Sequence, residues 1–192
     1  MDTPQNTKSA ITGAALSLFS RRGYESTGIQ EIVDAAGITK PALYYYFGSK
    51  QGLLEAVVAE YGQILTGIIR KEAEYRRDLV MNLSGLFRET LGFALEHRDF
   101  FRLMMGLFFS APETAAFAAG KKLREELVSI LEGLFAAAGQ DHGNMRNRQK
   151  IYAESFMGLL ETWGILAVNQ EIQMGDHLRY RIIHQYMHGI FS

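Results

Sequence analysis

Prolines stand at only three positions, 4, 41 and 112, and apolar residues recur at every third or fourth position almost throughout the chain. That period matches a helix with one buried face, whereas a half-buried strand would alternate every second residue, and no convincing alternation occurs. The expected fold is therefore all-α, with about nine helices. At 192 residues the chain is long enough to bury a sizeable core.

The helices divide into two kinds. A first helix is expected over residues 7–22, with Ile11, Ala14, Ala15, Leu18 and Phe19 on one stripe and a stop at Gly23. The stretch "TGIQEIVDAAG" then reads as a short helix, Thr27 and Gln30 having the spacing of a capping box and Gly37 ending it. A third helix starts near Thr39, where Pro41 is tolerated because the first turn has no intrahelical donor to lose. Ser49 reads as the N-cap of a long fourth helix reaching residue 77. Beyond it, longer amphipathic helices are expected over 78–98, 99–110, 113–138, 145–169 and 176–191. The change from short capped helices to long ones falls near residue 48, which predicts an N-terminal domain over 1–48 and a larger one over 49–192.

Two short helices joined by a glycine-containing turn make a helix-turn-helix unit. In "GITKPALYYYFGSK", Leu43 and Phe47 share a face that can pack on Ile32, Val33 and Ile38. Thr39, Lys40, Pro41, Ala42, Tyr44 and Tyr45 are thereby left on or near the outer surface. Three successive tyrosines flanked by lysines suit neither a solvated helix nor a core, because each buried phenol needs a hydrogen-bond partner. They suit a DNA groove, where lysines and phenols reach phosphates and the rings lie along sugars and thymine methyls. The net charge of −1 confines any such surface to a local patch.

The stretch "LFSRRGYESTGIQEIVDAAGITKPALYYYFGSKQGLLEAV" resembles the DNA-binding domain of the tetracycline-repressor (TetR) family of transcriptional regulators. Phe19, Gly23, Tyr24, Thr27, Ile32, Ala36, Gly37, Thr39, Lys40, Leu43, Tyr44, Phe47 and Lys50 carry the likeness, in register and without a gap. The resemblance implies phosphate contacts from Thr27, Tyr44 and Lys50. It implies groove contacts from Thr39, Lys40, Pro41, Ala42 and Tyr45. Pro41 stands where glycine is usual and Tyr46 where histidine is frequent, so the operator sequence is not readable. The resemblance also implies a helical ligand-binding and dimerisation domain after residue 48, acting as a homodimer on operator DNA.

Within residues 145–169, Ser155, Gly158 and Thr162 fall on one helical face, where small side chains would let two helix axes approach as a dimer interface requires. The opposite face carries Phe156, Leu160 and Trp163. With Phe101, Met104, Met105 and Phe108 from "FFRLMMGLFFSAP" these make a candidate apolar ligand pocket, although an ordinary core would use the same residues. Glycines inside the helices fit either a domain that flexes or close helix packing. His177, His184 and His188 share a face of the last helix. They read as a polar, solvated or dimer-edge stripe rather than a metal site, and no metal or cofactor is expected.

The absence of cysteine excludes disulfides and thiol catalysis. No phosphate loop, G-x-G-x-x-G, G-x-S-x-G or H-E-x-x-H is present, so no enzymatic chemistry is expected. The polar N-terminus carries no apolar signal segment, and the longest charge-free apolar run, between Arg102 and Glu113, is short of a bilayer span. A cytoplasmic DNA-binding repressor answering to a mostly apolar small molecule is the expectation. The alternative is a helix-turn-helix interaction or architectural protein without an effector.

Overall fold

The computed structural model describes residues 4–189. Its described residues form helices and no strands: α1 (Pro4–Arg22), α2 (Ile29–Ala36), α3 (Lys40–Phe47), α4 (Lys50–Glu72), α5 (Leu79–Glu96), α6 (Arg98–Phe108), α7 (Ala115–Asp141), α8 (Gln149–Val168) and α9 (Asp176–His188), with a 3₁₀ turn at Gly143–Met145. Residues 190 and 191, expected to end the last helix, lie outside the described residues.

The chain forms two compact units, each discontinuous in sequence. One comprises Met1–Gln63 and Asp99–Leu123, the other Ile64–Arg98 and Arg124–Ser192. The first unit thus includes α6 and the start of α7 beside the three N-terminal helices, a grouping that the composition change at residue 48 does not disclose. α4 is long and apolar enough by composition to cross a membrane. Its Leu53, Leu54, Val57, Leu65 and Ile69 are nevertheless fully buried, so its apolar stripe is core.

In the first unit, Ile11, Ala15 and Phe19 of α1 are buried as the stripe requires. Phe19 meets the Tyr24 ring edge-on at 5.3 Å. Gly23 follows α1 at φ +82°, a left-handed conformation that glycine adopts without a Cβ penalty. The start of α2 differs from the expected Thr27–Gln30 capping box. Thr27 is buried and its hydroxyl donates back to the Gly23 carbonyl at 2.8 Å, while the Gln30 amide donates to Asp34 at 2.7 Å. Gly28 is the N-cap, and its N–H donates to the Glu31 carboxylate at 2.9 Å. That bond first, and the neighbouring Arg22 guanidinium with which Glu31 pairs, hold the Glu31 carboxyl below its ordinary pKa. The box failed because the threonine's burial committed its hydroxyl to the preceding turn.

α2 ends at Gly37 in the left-handed region, and Ser49 caps the fourth helix by accepting from the Gly52 N–H at 2.9 Å, as expected. α6 and α7 approach closely within this unit. A Cβ added to Gly120 would lie 2.7 Å from the Leu107 Cβ and 3.0 Å from its carbonyl carbon. Gly120→Ala is expected to lose about 1–3 kcal/mol in denaturant melts although alanine is the better helix former. Gly67→Ala, where a Cβ meets nothing within 4 Å, is expected to gain up to about 1 kcal/mol.

In the second unit, α4 stops at Glu72 rather than continuing to residue 77. The buried Asn82 side chain explains the early end: its amide donates to the carbonyls of Glu72 at 2.6 Å and Glu74 at 2.8 Å. Those are C-terminal carbonyls that a helix leaves without partners. The connection then passes through Arg77 at φ +60°, and Asp78 caps α5 by accepting from the Met81 N–H at 2.9 Å. α5 packs on both α8 and α9.

A candidate nucleic-acid interface

α3 is amphipathic over only two turns, and its two sides have different surroundings. Leu43 is fully buried, with Ile32 and Val33 of α2 buried beside it in the same unit. Phe47 and Ile38 are partly exposed. Across the helix, Lys40 and Pro41 are exposed, Tyr44 is 47 % exposed and Tyr45 83 % exposed. Thr39, the N-cap of α3, is exposed and its side chain makes no cap hydrogen bond, which leaves that hydroxyl available. Ala42 is half-buried. Tyr46 is half-buried too, its ring 5.2 Å from that of Tyr45 and 6.3 Å from that of Phe47.

Such a surface has a defined chemical capacity. A large aromatic with 83 % of its area in water gains almost nothing from packing. Beside an exposed lysine, it offers a flat ring, a phenol donor and a positive charge at the positive end of a helix dipole. Phosphate oxygens and base edges take those groups.

The two other expected phosphate ligands are placed differently. Thr27 is 2 % exposed with its hydroxyl already engaged, so what it presents outward is the adjoining backbone at the start of α2. The Lys50 ammonium lies 3.3 Å from the Glu25 carbonyl and 4.3 Å from the centre of the Tyr24 ring. Burial there lowers the lysine's pKa, and Glu25 partly offsets the shift. Lys50 therefore joins the α1–α2 connection to the start of α4, a fastening that the helix-start motif alone does not reveal.

The other expected site residues are divided between the two units. In the first, Phe101, Met104 and Phe108 are buried and Met105 is partly exposed. In the second, Phe156 and Leu160 are buried, whereas Trp163 is only partly so. Ser155 and Thr162 are exposed, and a Cβ on Gly158 would meet nothing within 4 Å. Ile151, one turn before Ser155, is 64 % exposed on the same stripe. His177, His184 and His188 are all exposed, the last two with ring centres 4.3 Å apart. Among the described residues no group of three or more His, Cys, Asp or Glu side chains is arranged to hold a metal ion.

Sequence reasoning missed two features of the second unit. Arg124 donates to the Glu161 carboxylate at 3.0 Å and pairs with Glu154 at 3.0 Å, and Glu161 is only 6 % exposed. Burial raises the Glu161 pKa more than Arg124 lowers it. On the arginine side, the two carboxylates outweigh burial and raise its pKa. Both shifts are upward, the glutamate's because it is the more deeply desolvated partner and the arginine's because two carboxylates face it. The second feature is a cleft of about 390 Å³ with Arg77 and His142 among its lining residues. Neither could be read from spacing, because the first joins two helices, α7 and α8, and the cleft joins residues from several separate segments.

The family model described as "Bacterial regulatory proteins, tetR family" matches residues 11–57. This chain is 30% identical over 95 residues to the HTH-type transcriptional repressor KstR2 of Mycolicibacterium smegmatis, covering 50% of this chain and 46% of the relative. It is 25% identical over 147 residues to the HTH-type transcriptional activator FasR of the same organism, covering 76% of this chain and 65% of the relative. The chain thus spans less than two thirds of the length of either. Among solved structures, the regulator FadR from Bacillus subtilis in complex with stearoyl-CoA superposes with a TM-score of 0.77 at 16% identity, covering 95% of this chain and 98% of the other. At that identity the likeness is one of fold.

Proposed function

We propose, for a chain that carries the tetR-family DNA-binding domain on an all-α fold shared with solved regulators, a non-enzymatic transcriptional repressor. It binds a palindromic operator as a homodimer in the cytoplasm and answers to a mostly apolar small molecule. The observation that carries the reading is Tyr45, 83 % exposed on a helix whose other side is anchored by a fully buried Leu43. In this reading residues 1–48 bind DNA and 49–192 bind ligand and partner. Thr39, Lys40, Pro41, Ala42 and Tyr45 take the major groove, and Tyr44, Lys50 and the α2 start at Thr27 take phosphates.

An acyl-CoA-like effector is suggested by the fold neighbour FadR of Bacillus subtilis, which was solved with stearoyl-CoA. KstR2 is named a repressor and FasR an activator, so the sign of regulation is taken from the more identical of the two. Within the second unit Phe156, Leu160 and Trp163 offer apolar walls. In the second unit the Thr66 and Thr90 hydroxyls are buried with no hydrogen-bond partner among the described residues. Buried polar groups are rarely left so, and a polar atom of an otherwise apolar effector would satisfy them.

Gel-shift selection from random duplexes followed by acyl-CoA titration tests the reading. A palindromic site released by ligand supports it; binding of all duplexes alike, unaffected by any acyl-CoA, returns the chain to an architectural role.

The proposed dimer face yields a separate expectation. A Cβ on Gly158 meets nothing within 4 Å, so Gly158→Trp is expected to keep the protomer folded, while an indole cannot fit where helix axes come within about 8–10 Å. Light scattering should then find a monomer with native helical content. A dimer of normal affinity would place the interface elsewhere than Ser155, Gly158 and Thr162.

A further inference from the structure

The cleft of about 390 Å³ lies wholly within the second unit, between the starts of α5 and α8 and the ends of α7 and α9. Its lining separates into two kinds of surface. Leu83 and Phe135 are 1 % exposed and form an apolar floor with Met145, and the Tyr152 and Tyr186 rings add to it. Tyr186 presents only its ring, because its hydroxyl donates to the Tyr152 carbonyl at 2.7 Å and burial holds the phenol proton on. The polar lining consists of Arg77, His142 and Asp78.

Two carboxylates bear on that polar group, Asp78 in the lining and Asp141 directly before His142. The Asp78 carboxylate is committed to the α5 N-terminus, accepting from Met81, where the helix dipole offsets its charge. Arg77 is exposed and is in no ion pair among the described residues, and its backbone is held at φ +60°, a conformation uncommon for a long side chain. An unpaired guanidinium on a strained connection, beside an imidazole and over a buried apolar floor, matches one ligand chemistry. We infer that this cleft binds an amphipathic monocarboxylate, with the carboxylate on Arg77 and His142 and the hydrocarbon on Leu83, Phe135 and Met145.

The volume sets the size. At ~30 Å³ per heavy atom the cleft holds roughly a dozen non-hydrogen atoms, which is the size of decanoate. The guanidinium fork suits a carboxylate's two oxygens and repels a cationic head group. The site goes beyond the regulator reading, and it can be measured on the full chain without DNA, so failure of either leaves the other standing.

Isothermal titration of the full-length chain with sodium decanoate, and with decyltrimethylammonium as the charge-reversed probe, tests the inference. The expected result is one decanoate per chain, saturating below about 1 mM, and at least tenfold weaker binding of the cation. Arg77→Gly suits the left-handed backbone and so keeps the fold; it should weaken decanoate at least tenfold with unchanged helical circular dichroism. Met187→Trp, at the partly exposed edge of the cleft, should weaken it as well by filling the space. Equal binding of both probes, absence of saturable binding, or full decanoate affinity in Arg77→Gly would each overturn the assignment.

Discussion

Replacing Arg124 with alanine is expected to destabilise the protein by about 3 kcal/mol at pH 7.5. The cause is not the loss of two ion pairs as such, since exposed pairs contribute little. Glu161 is 6 % exposed and accepts its described hydrogen bond from Arg124, so the substitution leaves a buried carboxylate without its counter-charge. Glu154, half-buried and also paired with Arg124, adds a like charge to the same place.

The pH dependence follows with a definite sign. Burial already raises the Glu161 pKa in the folded protein, and removing Arg124 raises it further. A carboxyl whose folded pKa exceeds its unfolded one binds more protons when folded, so stability falls as pH rises through the folded value. The deficit of Arg124→Ala relative to the unsubstituted protein should therefore be largest at neutral pH and shrink as pH falls towards the unfolded carboxyl range. Chemical denaturation at pH 7.5 and pH 5.5 measures it. The double substitution Arg124→Met with Glu161→Leu removes both charges and should recover most of the loss. A deficit independent of pH, with no recovery in the double variant, would mean that Arg124 acts only through its packing.

Tyr45→Ala is expected to lower affinity for the preferred operator by about 5- to 150-fold, corresponding to about 1–3 kcal/mol for a base-contacting side chain. The loss should fall on particular operator positions rather than on all DNA equally. Stability gives the internal control: at 83 % exposure the ring is not part of the core, so the melting temperature should stay within a degree or two. Its one described ring neighbour is Tyr46, at 5.2 Å. Binding profiles on a panel of single-base operator variants would decide between readout and mere contact. A uniform loss across the panel would assign Tyr45 to the phosphate backbone, and no loss would remove it from the interface.

The short helices and their ends were legible in the sequence because local chemistry decides them. Gly23 and Gly37 take left-handed backbone that glycine tolerates best, Pro41 fits a first turn, and Ser49 caps through its own hydroxyl. The exposed side of α3 was legible for the same reason: once Leu43 is committed to the core, the helical period puts Tyr44 and Tyr45 outside. Where the choice between partners is made by burial, the sequence could not decide. Thr27 has the spacing of a cap, yet its hydroxyl turns back to Gly23 because the residue is buried. Residues 73–77 have a helix-compatible composition, yet α4 ends at Glu72 because Asn82, ten residues later, takes its last carbonyls. Lys50 has the position of a phosphate ligand, and its tie to Glu25 and Tyr24 exists only once α4 packs against the turn between α1 and α2. Periodicity and caps are properties of neighbours along the chain, so the sequence alone determined the helices and the face that α3 shows to solvent. The Arg124–Glu161 pair and the Arg77 cleft depend on which distant side chains meet and how much water is excluded when they do, and only the tertiary structure decided those.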